Sequence, residues 1–288
     1  MIRCAMPKNI FFSLLCIVAH MPAMAAAPAK TPVVPDVLTV RAVAWDYSWK
    51  PATEKEWAAR VVSEVAAAAT DGADIIVYPE QCSHGRSLDG IRSDVRAAAG
   101  ADRLVVLGNS PYQAAGWDYA VSRAYILSGN SWHEMDKLDP TPAERAQKPP
   151  VKPGMRLPLF RFRGGVVAVL PAFSIEKPEI AASLKKRAVQ LVLVCVPAED
   201  EEGAARVART ASARAVELGA AVVTAPPSSM APALHLPAQK GFDLKPSPSA
   251  GRDFRIPWKK ILDLRARPEA SSEARPFLDP APLYQIEI

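Results

Sequence analysis

Short apolar runs rich in valine, isoleucine and alanine alternate with amphipathic, alanine-rich segments through most of this chain. Val189 to Val196 (Val-Gln-Leu-Val-Leu-Val-Cys-Val) is almost wholly apolar. A strand with no polar face must be covered on both sides, which is the habit of parallel sheets flanked by helices. Strand and helix in regular alternation define an α/β fold.

In chain order, Val37 to Ala44 reads as the first strand. Thr53-Glu54-Lys55-Glu56 has the spacing of a capping box. The helix behind it sets Trp57, Val61 and Val65 on one face and ends near Asp71-Gly72. Ala73 to Tyr78 is a buried strand, Ile91 to Ala99 a helix and Leu104 to Leu107 a strand. Arg123 to Leu127 and Ser131 to Met135 form a strand pair turned by Ser128-Gly129-Asn130. Pro140 to Pro158 is a proline-rich connection. Then come a strand at Gly165 to Leu170, a helix at Ile180 to Ala188 and the strand at Val189 to Val196. A helix at Ala204 to Leu218 is closed by Gly219, and Ala220 to Ala225 is a strand. From Pro226 onward proline is frequent and periodicity poor, so 226–288 is expected to be an extension with edge strands, ending in Tyr284 to Ile288.

The amino terminus is read apart from the fold. Arg3 and Lys8 precede the apolar run Ile10 to Ala19, and Ala23-Met24-Ala25 presents small residues for cleavage. That is the layout of a secretory signal peptide over 1–25, leaving one domain at 26–288 and a periplasmic or secreted protein. The run is about half the ~20 residues of a membrane span, and Cys16 lies inside it rather than after it, which argues against a lipid anchor. No later segment is apolar enough to span. Two of the 35 basic residues and none of the 30 acidic ones lie in the leader, so the full-chain charge of +5 falls to +3. The basic residues are scattered among acids, which argues against nucleic acid. Cys82 and Cys195 remain, and an oxidising compartment would permit them to pair.

Three segments carry polar residues at strand ends. Ile75-Ile76-Val77-Tyr78-Pro79-Glu80 delivers a carboxylate to a strand tip, where α/β sheets commonly bind ligands. Lys137 follows the next hairpin, and Glu144 stands seven residues on in a proline-stiffened loop. Gly165 to Leu170 runs into Pro171-Ala172-Phe173-Ser174, then Pro178-Glu179.

In this order and spacing the segments resemble the nitrilase, or carbon–nitrogen hydrolase, superfamily. Pro153-Gly154, Val189 to Pro197 and Arg214-Ala215-Val216-Glu217 ahead of Val222-Val223 extend the resemblance over Val37 to Ala225. It implies a four-layer α-β-β-α sandwich and a homodimer; the sequence has no phosphate loop, dinucleotide fingerprint or metal-ligand cluster, so no cofactor or metal is expected. It assigns Glu80 as general base, Lys137 as the catalytic lysine and Glu144 as the second glutamate. In that chemistry a cysteine thiolate attacks an amide or nitrile carbon, a glutamate moves the proton and the lysine steadies the developing negative charge.

The pattern breaks at the nucleophile. Counting back from Pro178 places Ala172 where the family keeps cysteine, and a methyl group cannot attack. Ser174, read as two residues further along the strand and on the same face, is one displaced nucleophile to weigh. Cys82, two residues after Glu80, is the other. Cys195 reads as a small core residue. His84, near Glu80 and Cys82, would suit a Cys–His pair or metal site, but no second ligand cluster appears and His133-Glu134 lacks the second histidine of a zinc helix, so the histidines are expected on the surface or in loops. The expected function is a non-catalytic homologue binding a small amide, carboxylate or acyl ligand, or a partner protein. The rivals are an active hydrolase using a displaced nucleophile and, last, an N-acyltransferase-like activity.

Overall fold

The β-branched runs become strands, and the strands sort into two mixed sheets of six. A computed structural model describes residues 34–83, 85–86, 88–198, 201–237, 252–265 and 284–287. The leader at 1–25 and His84 lie outside the described residues. The first half of the chain builds β1 (Leu38–Ala42), α1 (Glu54–Thr70), β2 (Ile75–Val77), α2 (Arg92–Ala99), β3 (Leu104–Tyr112), β4 (Val121–Ser128) and β5 (Ser131–Asp136). The second half builds α3 (Pro142–Arg145), β6 (Arg156–Phe162), β7 (Gly165–Pro171), α4 (Ala172–Ile175), α5 (Pro178–Lys186), β8 (Leu191–Cys195), α6 (Glu201–Leu218) and β9 (Ala221–Ala225). The end of the chain adds β10 (Ala233–His235), β11 (Asp253–Ile256), α7 (Trp258–Arg265) and β12 (Tyr284–Glu287).

The sheet orders are β11-β1-β2-β3-β4-β5 and β10-β9-β8-β7-β6-β12. Strand alternation divides the core. Ile76 and Tyr78 of the β2 segment join Trp57, Val61 and Val65 of α1 and Val95 of α2 in one cluster. Ile75 and Val77 turn the other way, into a core shared with the second sheet and with α5 and α6. The result is the four-layer α-β-β-α sandwich. No helix among the described residues is long and apolar enough to cross a membrane.

Several expectations are corrected. Thr53 does cap α1, accepting from Glu56 N at 3.1 Å, but the Glu56 carboxylate bonds Ala52 N at 2.8 Å instead of Thr53 N. Only half of the capping box forms. The proline-rich connection holds the turn α3 and the first residues of β6, where Pro158 hid the alternation of Leu157 and Leu159. Trp258 and Ile261, fully buried, anchor α7 inside the stretch read as lacking periodicity. β10, β11 and β12, in the stretch expected to carry edge strands, do stand at sheet ends.

One glycine fixes where Glu80 can lie. Gly108 sits where the β3–β4 register shifts, and a Cβ there would come within 2.1 Å of Pro79 O and 2.8 Å of Glu80 N. Only hydrogen lets β3 approach the Pro79–Glu80 peptide. Gly108→Ala is expected to lower stability by about 1–3 kcal/mol in urea denaturation. Gly90→Ala, whose Cβ would meet nothing closer than 3.7 Å, should change it little.

Candidate active site

The site forms where β2, β5 and β7 end. Glu80 follows β2, and its backbone N–H donates to Val196 O at 3.3 Å, at the tip of β8. The chain then turns through Gln81, held at a left-handed φ of 60° with its N–H on Asn109 O. A non-glycine residue in that region is uncommon and marks a fixed backbone path. Lys137 follows β5, its N–H donating to Ser122 O at 2.7 Å. Gly154 N donates to Lys137 O at 2.8 Å, and a Cβ at Gly154 would lie 2.4 Å from Asp136 O. The Pro153-Gly154 pair therefore clamps the backbone on which Lys137 stands.

Lys137 is buried between two acids. Its Nζ lies 3.2 Å from Glu80 Oε2, and 3.2 and 3.1 Å from Glu144 Oε1 and Oε2. Glu80 and Lys137 are only 2% and 3% exposed. Glu144 is positioned by a complete capping box: its Oε2 accepts from Thr141 N at 2.6 Å while Thr141 Oγ1 accepts from Glu144 N at 3.2 Å. Thr141-Pro142-Ala143-Glu144, with proline at the first helical position, carries that signature in the sequence, where it was not read. Burial pushes the Glu80 carboxyl up, opposed by Lys137 and by the Ala172 N–H. Burial alone would lower the Lys137 ammonium, but the two carboxylates outweigh it and hold it above its ordinary value.

Ala172 completes the constellation. It is buried, and its backbone N–H donates to Glu80 Oε1 at 2.9 Å. One carboxylate thus bridges the Lys137 ammonium and the Ala172 amide. Three segments distant in sequence, carrying Glu80, Lys137 and Ala172, meet here.

The two displaced nucleophiles sit differently from expectation. Pro171 ends β7, paired with Cys195 of β8, and with φ −64° it starts the helical turn α4. Ser174 is therefore the third residue of the single turn α4, not further along a strand. It is fully buried, and its Oγ has no hydrogen-bond partner. Cys82 packs in the cluster of α1 and α2, while Ala172 belongs to the inter-sheet core. The Cys82 carbonyl accepts from Trp57 Nε1 at 3.0 Å, and burial pushes its thiol up to about 12. Cys195, buried in β8, is pushed well up by burial and then by the charge of Glu80. Both thiols are free. Among the described residues no group of three or more His, Cys, Asp or Glu side chains is arranged to hold a metal ion.

Sequence reasoning missed Asn109 and gave Arg214 no supporting role. Asn109, fully buried, donates through Nδ2 to Ser122 O at 3.0 Å, beside the Lys137 backbone, while its own carbonyl accepts from Gln81. It ties the two strand tips together. An isolated glycine and asparagine inside an apolar strand were the available signal. Arg214 ties α6 to the turn after Ala172, donating to Ile175 O at 3.0 Å and Glu176 O at 3.2 Å.

The same fold occurs in solved nitrilase-superfamily structures. A cysteine-to-alanine mutant of the Nesterenkonia AN1 amidase superposes with a TM-score of 0.58 at 20% identity, over 84% of this chain and 97% of that one. Saccharomyces cerevisiae Nit3, a member of branch 10 of the superfamily, matches at 0.65 and 14% identity, over 86% and 99%. Glutamine-dependent NAD+ synthetase from Acinetobacter baumannii matches at 0.56 and 14%, over 76% of this chain and 45% of that one. No family model matches the sequence, and no curated protein matches it. The fold is thus that of the carbon–nitrogen hydrolases of the nitrilase superfamily.

Two outcomes follow from the buried ions. Lys137→Met leaves two carboxylates facing each other and is expected to destabilise by about 3–5 kcal/mol. Adding Glu80→Gln should recover part of that loss in urea melts. The second concerns pH. A carboxyl whose folded pKa is raised contributes stability that is complete below its unfolded value and lost as pH rises through the folded one. Glu80→Gln alone should therefore gain stability relative to the natural chain as pH rises from about 4 to 7, read by thermal melts across that range.

Proposed function

We propose that this chain is an exported, non-catalytic homologue of the nitrilase-superfamily amidases, keeping the Glu80–Lys137–Glu144 pocket as a binding site for a small amide, carboxylate or acyl ligand. The observation that carries the reading is Ala172. Its amide donates to Glu80, and its side chain is a methyl with no electron pair to donate. The Nesterenkonia amidase is described with covalent addition of an acetamide moiety at its active-site cysteine. Ala172 stands, on this reading, where that cysteine would be.

Neither displaced nucleophile has what attack requires. A hydroxyl needs a base within hydrogen-bond reach, and the Ser174 Oγ has no hydrogen-bond partner. A thiol attacks as thiolate, and Cys82 is held protonated at neutral pH. The leader Arg3 to Ala25 supports export.

The test is a panel of aliphatic amides and nitriles offered to the natural chain and to Ala172→Cys. The natural chain should show no turnover, and Ala172→Cys should gain it. Turnover by the natural chain that disappears in Ser174→Ala or Cys82→Ala contradicts the reading.

A further inference from the structure

Outside the buried Glu80–Lys137–Glu144 cluster, a second group of ions joins the segments that build it. Lys177 Nζ lies 2.6 Å from Asp139 Oδ2, and Arg145 Nη2 donates to Asp139 Oδ1. Asp139 stands two residues after Lys137, and Arg145 follows Glu144 directly. Lys177 stands five residues after Ala172 and is tied to the same turn, its backbone N–H donating to Ser174 O at 3.3 Å. One carboxylate therefore links the chain next to Lys137, next to Glu144 and next to Ala172.

This bridge spans the two sheets. Lys137 and Asp139 follow β5 of the first sheet, while Ala172 and Lys177 follow β7 of the second. Glu80, after β2 of the first sheet, crosses the same gap to the Ala172 amide at 2.9 Å. An isolated, exposed ion pair would hold little here. Asp139 is only 22% exposed and serves two cations. Lys177 Nζ also lies 4.7 Å from the ring centroid of Phe173, the neighbour of Ala172, and Arg145 Nε donates to Pro140 O at 3.0 Å. The hydrogen bond to Asp139 is the main cause holding the Lys177 ammonium above its ordinary value.

The two partners of Glu80 thus lie on the two segments that Asp139 joins. Lys137 and the Ala172 N–H both favour the ionised Glu80 carboxylate, against its burial. Parting the segments would weaken both contacts together. The other titratable groups that feel Glu80 are Glu144, Tyr47 and Cys195, and burial keeps the phenol and the thiol neutral.

We propose that Asp139 is a positioning residue of this site: by bridging Lys177 and Arg145 it holds the Ala172 and Glu144 segments to the Lys137 segment and keeps both partners on Glu80. The inference rests on the reading of the Glu80–Lys137–Glu144 cluster as the binding site. Asp139 acts through Glu80 and not on the ligand.

The test is a carbon-13 NMR titration of the whole protein labelled at the glutamate carboxyls, with the Glu80 signal assigned by its loss in Glu80→Gln. Two effects of Asp139→Asn have opposite signs. Removing a negative charge by itself lowers the Glu80 pKa, whereas slackening the contacts with Lys137 and the Ala172 N–H raises it. Asp139→Asn is expected to raise it by about one unit, the low end of what a neighbouring opposite charge contributes. An unchanged or lowered value overturns the proposal. Should Asp139→Asn fail to fold, Lys177→Gln takes its place beside Lys177→Arg, which keeps the bridge. A rise of about one unit in Lys177→Gln alone is then expected, too large for the field of an exposed, screened charge, and equal values in the two variants overturn the proposal. The titration needs neither ligand nor turnover, so its failure is distinct from a failure of Ala172→Cys to gain activity.

Discussion

A lysine ammonium held away from water between two glutamates sets the terms for the rest of this structure. Removing one cation and two anions from solvent costs several kcal/mol per ion before their mutual attraction is counted. The arrangement persists only because the backbone leaves each group no other place to be. Gly108 lets β3 approach the Glu80 peptide, Gly154 clamps the Lys137 strand, Asn109 joins the two tips, and the Thr141 capping box fixes Glu144. These contacts hold the partners at 3.1–3.2 Å.

Such machinery around a methyl group separates two properties that active hydrolases combine. Positioning of acid and cation is a matter of fold, carried by strand tips and glycines. Nucleophilicity is carried by one atom. At Ala172 the backbone still engages Glu80, so the polypeptide passes the site in a path that a cysteine could follow. A methyl at residue 172 supplies no nucleophile, and the groups around it form a compact polar cluster with a net negative formal charge when every group is ionised.

The fold was legible where periodicity was strong. The runs at Ile75, Leu104, Gly165 and Leu191 became strands because nothing but a doubly covered sheet can take residues apolar on both faces. The Glu80–Lys137–Ala172 meeting was legible only through the family resemblance, because β2 and β5 end in one sheet and β7 in the other, which no local pattern encodes. What stayed hidden depends on tertiary contact. Pro158 sits inside β6, paired with Gln285, where local propensity argues against a strand. Ser174 was misplaced because Pro171 ends β7 and begins a turn, and a strand end has no signature that distinguishes it from a strand middle when the next residues are Ala and Phe. Cys82 is two residues from Glu80, yet the left-handed turn at Gln81 sends it into the α1–α2 cluster.

The most direct test of the central claim is native-state alkylation by a haloacetamide at neutral pH, read by intact mass and peptide mapping on the natural chain and on Ala172→Cys. A retained Glu80–Lys137 environment around an absent sulfur predicts rapid modification at position 172 of the variant, with Cys82 and Cys195 unmodified in both proteins. Rapid modification of Cys82 or Cys195 in the natural chain, or a residue-172 thiol that reacts no faster than the same peptide unfolded in urea, would contradict it.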